Sequence, residues 1–246
     1  MKNELIVQLG EHIVMTIPDF FYNGRRYEKY FICPHCFKST HLGRNSENEE
    51  WAFERDYTNP PDHSYEYETE QEVRNHIENC KPVLCAGINR VDASSNEVAH
   101  YIVDRLSRWA NKANGFDLPA ITKDHFFEQD IVSYVFVNEV GPVSYVAFML
   151  KDFTIEDRTV SSYVLWDLYT FPPFRNNGYA TKLLNKAIND LKIDTSHFPV
   201  SFPLTNKSAN LVKKISTGKV FAFRGRNSNL IDKNDITFER QIKEHY

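Results

Sequence analysis

The chain has 246 residues, of which 41% are hydrophobic and 14% aromatic, and its 29 basic and 33 acidic side chains give a net charge of −4. The aromatic content excludes a disordered chain, because it is enough to build a hydrophobic core. No run of about 18 apolar residues is present, so we expect no membrane-spanning helix. The acidic balance argues against a protein held on nucleic acid by bulk charge.

Residues 1–95 are predicted to form a small N-terminal module. Apolar stretches at residues 5–7 and 12–15 predict two strands around a turn at Gly10. Residues 37–75 contain ten acidic and four basic side chains, so we interpret them as an exposed and partly disordered acidic insertion. A short helix is predicted over residues 72–79, at the end of this insertion.

Cysteine and histidine side chains of this module have the spacing of a metal site. Cys33 and Cys36 form a C-x-x-C pair, and His76 and Cys80 lie four residues apart, on one face of the predicted helix. Three thiolates and one imidazole make a complete tetrahedral ligand set for structural Zn²⁺. Because no export signal precedes them, we expect the cysteines to bind metal rather than to form disulfides. We therefore expect a reducing compartment, either the cytoplasm or the nucleus.

Alternatives to this ligand set remain open. The cysteines can instead be buried free thiols, and the zinc interpretation leaves one cysteine unused. Three further histidines are competing ligands that rank below His76. The unused cysteine and these histidines are Cys85, His35, His41 and His63.

Residues 96–222 are predicted to form a second domain that mixes helices and strands. The hydrophobic pattern predicts, in chain order, a helix, three strands, a helix, a strand and a helix. These elements cover residues 97–113, 131–137, 143–150, 160–171, 178–191, 198–204 and 206–215. The three successive strands suggest an antiparallel meander. Residues 223–246 are expected to form a polar tail.

The junction between the third of these strands and the following helix has the features of a phosphate-binding loop. Arg175, Gly178 and Ala180 stand in the order R-x-x-G-x-A where the helix begins. Unpaired amides and the helix dipole attract a pyrophosphate to such a position. The loop is neither a Walker loop nor a dinucleotide fingerprint, and the alternative is an ordinary strand-to-helix turn.

This motif resembles the acetyl-CoA-binding motif of the GNAT superfamily of N-acetyltransferases. With the cysteine and histidine pairs upstream, the stretch T-F-P-P-F-R-N-N-G-Y-A over residues 170–180 is similar to that of the MYST family of histone acetyltransferases. In that family the pattern is approximately T-L-P-x-Y-Q-R-x-G-Y-G. The similarity extends over residues 6–215, and it lies in the order of the motifs more than in any one of them.

The resemblance implies an α+β fold, with a GNAT-like core, a mixed and largely antiparallel sheet, and a preceding zinc-finger module. It implies a nuclear lysine N-acetyltransferase that transfers acetyl from acetyl-CoA to a histone or another nuclear protein, together with other subunits of a chromatin complex. Phe171 and Pro173 would flank the pantetheine arm. The residues implied for the pyrophosphate are Arg175, Asn176, Asn177, Gly178, Tyr179, Ala180 and Thr181.

The chain departs from the MYST pattern at its catalytic residues. The family's glutamate has no counterpart in residues 198–202, and Asp167 stands where the family has a cysteine. We interpret Asp167 as the general base that removes a proton from the amine, and Ser201 or Thr205 as hydrogen-bonding partners of the leaving thiol. Lys123 lies one position from the lysine that is acetylated within the family's enzymes.

Three other functions remain open. In the first, Asp167 is structural and the chain is a catalytically inactive binding subunit of a chromatin complex. In the second, the chain is a GNAT enzyme that acts on small amines. The third is a zinc-dependent nucleic-acid-binding module, against which the absence of a basic cluster argues.

Overall fold

The computed structural model describes most of the chain in separate ranges. These ranges are residues 6–9, 11–17, 20–22, 25–27, 30–37, 39–42, 65–67, 70–114, 120–155, 158–202, 204–224, 227–232 and 234. The predicted turn at Gly10, the competing ligand His63, residues 43–64 of the acidic insertion and residues 235–246 of the tail lie outside them. The chain divides into two compact units, the first formed by residues 1–87 and 137–143 and the second by residues 88–136 and 144–246.

Helices and strands alternate irregularly along the described chain. The strands are β1 (Ile6–Leu9), β2 (His12–Ile17), β3 (Phe20–Tyr22), β4 (Arg25–Tyr27), β5 (Tyr30–Ile32), β6 (Ser39–Leu42), β7 (Tyr65–Tyr67), β8 (Gly87–Val91), β9 (Ile131–Asn138), β10 (Gly141–Ile155), β11 (Arg158–Thr170), β12 (His197–Ser201), β13 (Lys219–Arg224) and β14 (Asn227–Asp232). The α-helices are α1 (Glu70–Asn79), α2 (Glu97–Asn114), α3 (Lys123–Glu128), α4 (Tyr179–Leu191) and α5 (Asn206–Ile215).

The first unit contains a five-stranded sheet in the order β1-β2-β5-β6-β7, and a separate β3–β4 hairpin. The β1–β2, β2–β5 and β5–β6 pairs are antiparallel, whereas β6 and β7 run parallel. Helix α1 buries Val73 and Ile77, one turn apart, and this spacing gives a short helix one apolar face.

A tight turn over residues 33–36 follows β5 in this unit. The amide of Phe37 donates to the carbonyl of Cys33 over 2.9 Å and closes the turn. Gly141, at the start of β10, packs directly against it, because a Cβ built on Gly141 would lie 2.9 Å from both Cα and O of Pro34. Gly141 also has a φ of +105°, so both the close approach and the backbone conformation require glycine there.

The second unit is built on a seven-stranded sheet in the order β14-β13-β12-β11-β10-β9-β8. The β10–β11 and β13–β14 pairs are antiparallel, and β12 runs parallel to both β11 and β13. The predicted α+β class with a mixed sheet is therefore confirmed. Helix α4 buries Leu183, Leu184 and Ala187 completely in the core of this unit.

A bulge in β11 changes which side chains face that core. Ala147 pairs with Asp167 and Phe148 pairs with Leu165, so Trp166 is the extra residue. Leu165 and Leu168 both pack in the core that contains α4. Without the bulge, strict alternation would place Asp167 on the same face as Leu165. The extra residue turns Asp167 to the opposite face.

The sequence predicted most elements of the second unit to within a few residues. Its predictions for the helices agree with α2, α4 and α5 at nearly every boundary, and α5 agrees exactly. Strand β10 runs to Ile155, five residues beyond its predicted end. Strand β12 ends at Ser201 rather than at residue 204, because the chain then turns toward α5. None of the described helices is long and apolar enough to cross a membrane.

Part of the segment expected to be a polar tail forms β14. Leu230 and Ile231 pair with Phe221 and Val220 of β13. The polar composition of the segment does not predict this strand, because the strand depends on its pairing with β13. The acidic insertion likewise includes β6, β7 and the first residues of α1 among its described residues.

Candidate functional site

A cavity of about 470 Å³ lies in the second unit, where β11 ends and α4 begins. Among the described residues, β11 pairs with β12 only at Leu165 and Val200. The last residues of β11 therefore extend beyond the paired part of the two strands. The cavity is lined by Leu168, Tyr169, Thr170, Phe174, Arg175, Asn176, Gly178, Tyr179, Ala180, Thr181, Thr205, Lys207, Ser208, Asn210, Leu211 and Lys214.

The N-terminus of α4 forms one wall of this cavity. Gly178 caps the helix with a left-handed backbone, at φ 75° and ψ 7°. The first hydrogen bond of the helix runs from the amide of Lys182 to the carbonyl of Gly178 over 3.0 Å. The amides of residues 179–181 therefore have no acceptor within the helix. They lie at the cavity wall, where such amides bind anions.

All charged side chains among the described residues that line the cavity are basic. They are Arg175, Lys207 and Lys214. The guanidinium Nε of Arg175 donates to the carbonyl of Thr170 over 3.0 Å, and its Cζ lies 5.7 Å from the ring centroid of Tyr169. These contacts hold one positive charge beside the α4 N-terminus. In a chain of net charge −4, this local charge favours an anionic ligand.

Helix α5 also lines the cavity. Thr205 caps it, with Oγ1 accepting from the amide of Ser208 over 3.2 Å. The face of α5 that lines the cavity consists of Lys207, Asn210, Leu211 and Lys214, which are spaced i, i+3, i+4 and i+7. The role of this face was not predicted from the sequence, although the helical spacing of its residues could have indicated it.

Asp167 lies on β11 just before the cavity-lining residues, and three groups donate to its carboxylate. The hydroxyl of Ser107 donates to Oδ2 over 3.0 Å, and the hydroxyl of Tyr145 donates to the same oxygen. The amide of Leu168 donates to Oδ1 over 2.7 Å. Ser107 in turn accepts from the amide of Ile121 over 3.2 Å, so its own proton is directed at Asp167.

Desolvation raises the pKa of the Asp167 carboxyl above its usual range, while the hydrogen bonds from Tyr145, Leu168 and Ser107 act in the opposite direction. Burial, the neighbouring Asp167 charge and the hydrogen bond to it raise the pKa of Tyr145 well above its usual value. The Tyr145 hydroxyl therefore stays protonated and continues to donate its hydrogen bond to Asp167. A carboxyl with a raised pKa is a stronger base than an ordinary aspartate.

The structure brings most, but not all, of the predicted cofactor residues to the cavity. Arg175, Asn176 and the residues from Gly178 to Thr181 line it, as does Thr205. Five predicted site residues are not among the described residues that line it: Asp167, Phe171, Pro173, Asn177 and Ser201. Phe171 instead packs edge-on against Trp109, at 5.6 Å between ring centroids, and the Asn177 amide donates to the carbonyl of Phe174 over 3.2 Å.

Lys123 stands at the first residue of α3. Its ammonium pairs with Glu97 over 3.0 Å at the surface.

The predicted metal ligands come together in the first unit. The ligand atoms of Cys33, Cys36, His76 and Cys80 all lie within 4.8 Å of one another, and Sγ of Cys36 is 3.5 Å from Nε2 of His76. Around Zn²⁺, with Zn–S bonds of about 2.3 Å, tetrahedral thiolates are about 3.8 Å apart. The observed spacing is thus close to that of a filled site. Cys33 and Cys36 are buried, and Cys85 is exposed and outside the cluster.

A comparison with known families matches part of the second unit, including β11 and α4. Residues 101–195 match the family model described as the Acetyltransferase (GNAT) family. The chain therefore contains a GNAT acetyltransferase domain, the broader of the two resemblances noted in the sequence. No curated protein matches the chain.

Three solved structures illustrate the similarity. A predicted acetyltransferase with acetyl-CoA from Clostridium acetobutylicum has a TM-score of 0.42 and 15% identity, covering 65% of this chain and 97% of its own. An aminoglycoside 6′-N-acetyltransferase from Acinetobacter haemolyticus has a TM-score of 0.39 and 13% identity, with coverages of 64% and 99%. A ribosomal-protein-alanine N-acetyltransferase from Brucella melitensis has a TM-score of 0.39 and 12% identity, with coverages of 53% and 91%.

Proposed function

We propose that this GNAT domain transfers the acetyl group of acetyl-CoA to a primary amine. The observation that carries the proposal is the cavity itself. The amides at the N-terminus of α4 and three basic side chains line it, and none of its described lining residues carries a carboxylate. Such a cavity suits the polyanionic end of coenzyme A. The GNAT family match over residues 101–195 supports the same cofactor.

In this proposal the α4 N-terminus and Arg175 bind the pyrophosphate. The amides of residues 179–181 point at the anion, and Gly178 allows the backbone to approach it closely. The end of β11 at residues 168–170 lines the same cavity, and we place the pantetheine arm along it. Thr205 is the better of the two candidates for contact with the leaving sulfur, because it lines the cavity and Ser201 does not.

We propose Asp167 as the general base of the transfer. The acceptor ammonium gives up a proton to the carboxylate, its nitrogen attacks the thioester carbonyl, the C–N bond forms and the C–S bond breaks. The thiolate of coenzyme A leaves and takes up the second proton that the nitrogen loses as it becomes an amide, and Asp167 returns its own proton to water. The raised pKa of Asp167 supports this role, and Ser107 and Tyr145 hold the carboxylate in position.

For the acceptor we propose a lysine of a histone or another nuclear protein, in a chromatin complex with further subunits. The support is the resemblance of the finger spacing and the loop over residues 170–180 to the MYST family. The two main alternatives are an inactive binding subunit, in which Asp167 is structural, and an enzyme for small amines. Transfer assays on proteins and on small amines separate the three.

We propose that the cluster in the first unit binds one structural Zn²⁺. Three thiolates and one imidazole fill all four tetrahedral positions and leave none for water. The donor set is soft, which favours Zn²⁺ over Mg²⁺ or Ca²⁺. Since the turn at residues 33–36 packs on Gly141, the metal would fix that contact together with α1.

Substitution of Thr181 by aspartate tests the cofactor site. Thr181 is exposed, in the first turn of α4 and on the cavity wall, so an acidic side chain there favours the helix but repels a pyrophosphate. We expect acetyl-CoA binding, measured by calorimetry, to weaken about 10- to 100-fold with no loss of thermal stability.

Asn185→Asp is the matched control for this variant. Asn185 is exposed on the same helix and does not line the cavity, so binding should remain within about twofold, because screening weakens a more distant surface charge. Equal acetyl-CoA affinity in wild type and Thr181→Asp would remove the α4 N-terminus from the cofactor site.

A further inference from the structure

The basic side chains of the cavity belong to two elements, the loop before α4 and helix α5. Arg175 is fixed beside the α4 N-terminus by its hydrogen bond to the Thr170 carbonyl. Lys207 and Lys214 lie on α5, seven residues apart, and line the cavity with Asn210 and Leu211. Positions i and i+7 share one helix face about 10 Å apart along the axis. The α5 wall therefore carries its own positive charge, distinct from that of the phosphate loop.

Both lysines are exposed and available to a ligand. Within the part of the chain that the structure describes, neither ammonium takes part in an ion pair. The neighbouring Lys213 differs, since its Nζ donates to the carbonyl of Asn234 over 3.5 Å and it does not line the cavity. Two lysines of α5 thus face the cavity, and a third next to them does not.

Coenzyme A carries two anionic groups at different places in the molecule. The pyrophosphate joins the pantetheine arm to the nucleotide, and a separate monoester phosphate sits on the 3′ oxygen of the ribose. A phosphate monoester carries a charge of about −1.5 to −2 at neutral pH. If the pyrophosphate occupies the α4 N-terminus and Arg175, one phosphate is left for the lysines of α5.

We propose that Lys207 and Lys214 form a second anion subsite, which binds the ribose 3′-phosphate and selects coenzyme A thioesters over their 3′-dephospho forms. This inference rests on the proposed function, because it assumes that the cavity binds acetyl-CoA. Lysine binds phosphate as a mobile point charge rather than by fixed bidentate geometry. The subsite therefore contributes charge attraction that depends on salt concentration.

The test compares acetyl-CoA with 3′-dephospho-acetyl-CoA by calorimetry, on wild type, on the double variant Lys207→Gln/Lys214→Gln and on Lys213→Gln. Glutamine keeps the helix propensity of these positions, so all variants should fold. We expect wild type to bind acetyl-CoA about 10-fold more tightly than the dephospho form, a preference that corresponds to about 1.4 kcal/mol. The double variant should lose this preference and keep its affinity for the dephospho form, while Lys213→Gln should behave as wild type.

The possible results separate the inference from the proposed function. Equal binding of both compounds by wild type would overturn the second subsite but leave acetyl-CoA as the ligand. Equal weakening of both compounds in the double variant would also overturn it, since the lysines would then act on a group that the two compounds share. If Lys213→Gln lost the preference for acetyl-CoA as fully as the double variant, the inference would also be overturned. Any lysine of α5 would then contribute through general charge attraction. Failure of wild type to bind either compound would overturn the proposed function and this inference together.

Discussion

Replacing Asp167 by asparagine is expected to lower kcat for acetyl transfer about 10²- to 10⁴-fold, the range typical of the loss of a general base. Asparagine fits the same space and can still accept from Ser107 or Tyr145, but it cannot take up a proton. Affinity for acetyl-CoA should be unchanged, because Asp167 is not among the residues that line the cavity. Steady-state kinetics and calorimetry on the same preparation measure both quantities.

The stability of this variant tests the raised pKa of Asp167, whereas its activity tests the catalytic role. Burial raises the folded-state pKa of Asp167, so the wild type is relatively more stable below the ordinary carboxyl pKa and loses that stability as the pH rises through the raised value. Asparagine does not ionise. The melting temperature of the variant, relative to wild type, should therefore improve from pH 4 to pH 7, while its activity stays low.

The pH profile of the wild type follows from the same carboxyl. Its kcat/KM should fall on the acid side, with an apparent pKa above the usual aspartate range, because the protonated carboxyl cannot act as a base. If Asp167→Asn transferred acetyl groups at the wild-type rate, Asp167 would be structural and another group would be the base.

Loss of a metal ligand is expected to have the largest effect on stability. Structural Zn²⁺ contributes apparent binding free energies of about 10–16 kcal/mol in finger peptides near neutral pH, more than most side-chain substitutions cost. Cys36→Ser should release the metal and unfold the first unit, or lower its melting temperature well below that of wild type. Elemental analysis of the purified chain should give one zinc per wild-type molecule and less than about 0.2 in the variant.

Cys85→Ser is the matched control, since Cys85 is an exposed cysteine outside the cluster. It should retain one zinc and the wild-type melting temperature. A wild-type chain purified without chelators that contains no zinc, and whose melting temperature does not change when Zn²⁺ is added, would leave the four side chains as buried thiols and a histidine.

Local patterns in the sequence were sufficient for several parts of the structure. The apolar spacing of residues 206–215 predicted α5 at its observed boundaries, because helical periodicity is carried within a few turns. The C-x-x-C and H-x-x-x-C pairs are also local, and the fold brings them within one cluster. The loop from Arg175 to Thr181 was predicted for the same reason, since a helix start is recognisable from its own residues.

Features that depend on strand pairing could not be predicted. The bulge at Trp166 reverses the side-chain alternation of β11, and it is what brings Asp167 to Ser107 and Tyr145. No residue near Trp166 predicts the bulge, because a bulge depends on how two strands pair with each other. Likewise, the sequence predicted that Phe171 contacts a pantetheine arm, but its ring packs against Trp109 and Tyr169. These contacts depend on the tertiary fold and could not be predicted from the local sequence.

The most direct test of acetyl transfer uses labelled acetyl-CoA with mixed core histones, and in parallel with a panel of small primary amines. We expect covalent label on histone protein, reduced at least about 10-fold in Thr181→Asp at subsaturating acetyl-CoA and retained in Asn185→Asp. Label on the small amines alone would keep the enzyme and reject the proposed acceptor. Wild-type protein that binds acetyl-CoA but labels neither histones nor amines, and releases no coenzyme A, would contradict the proposed acetyltransferase.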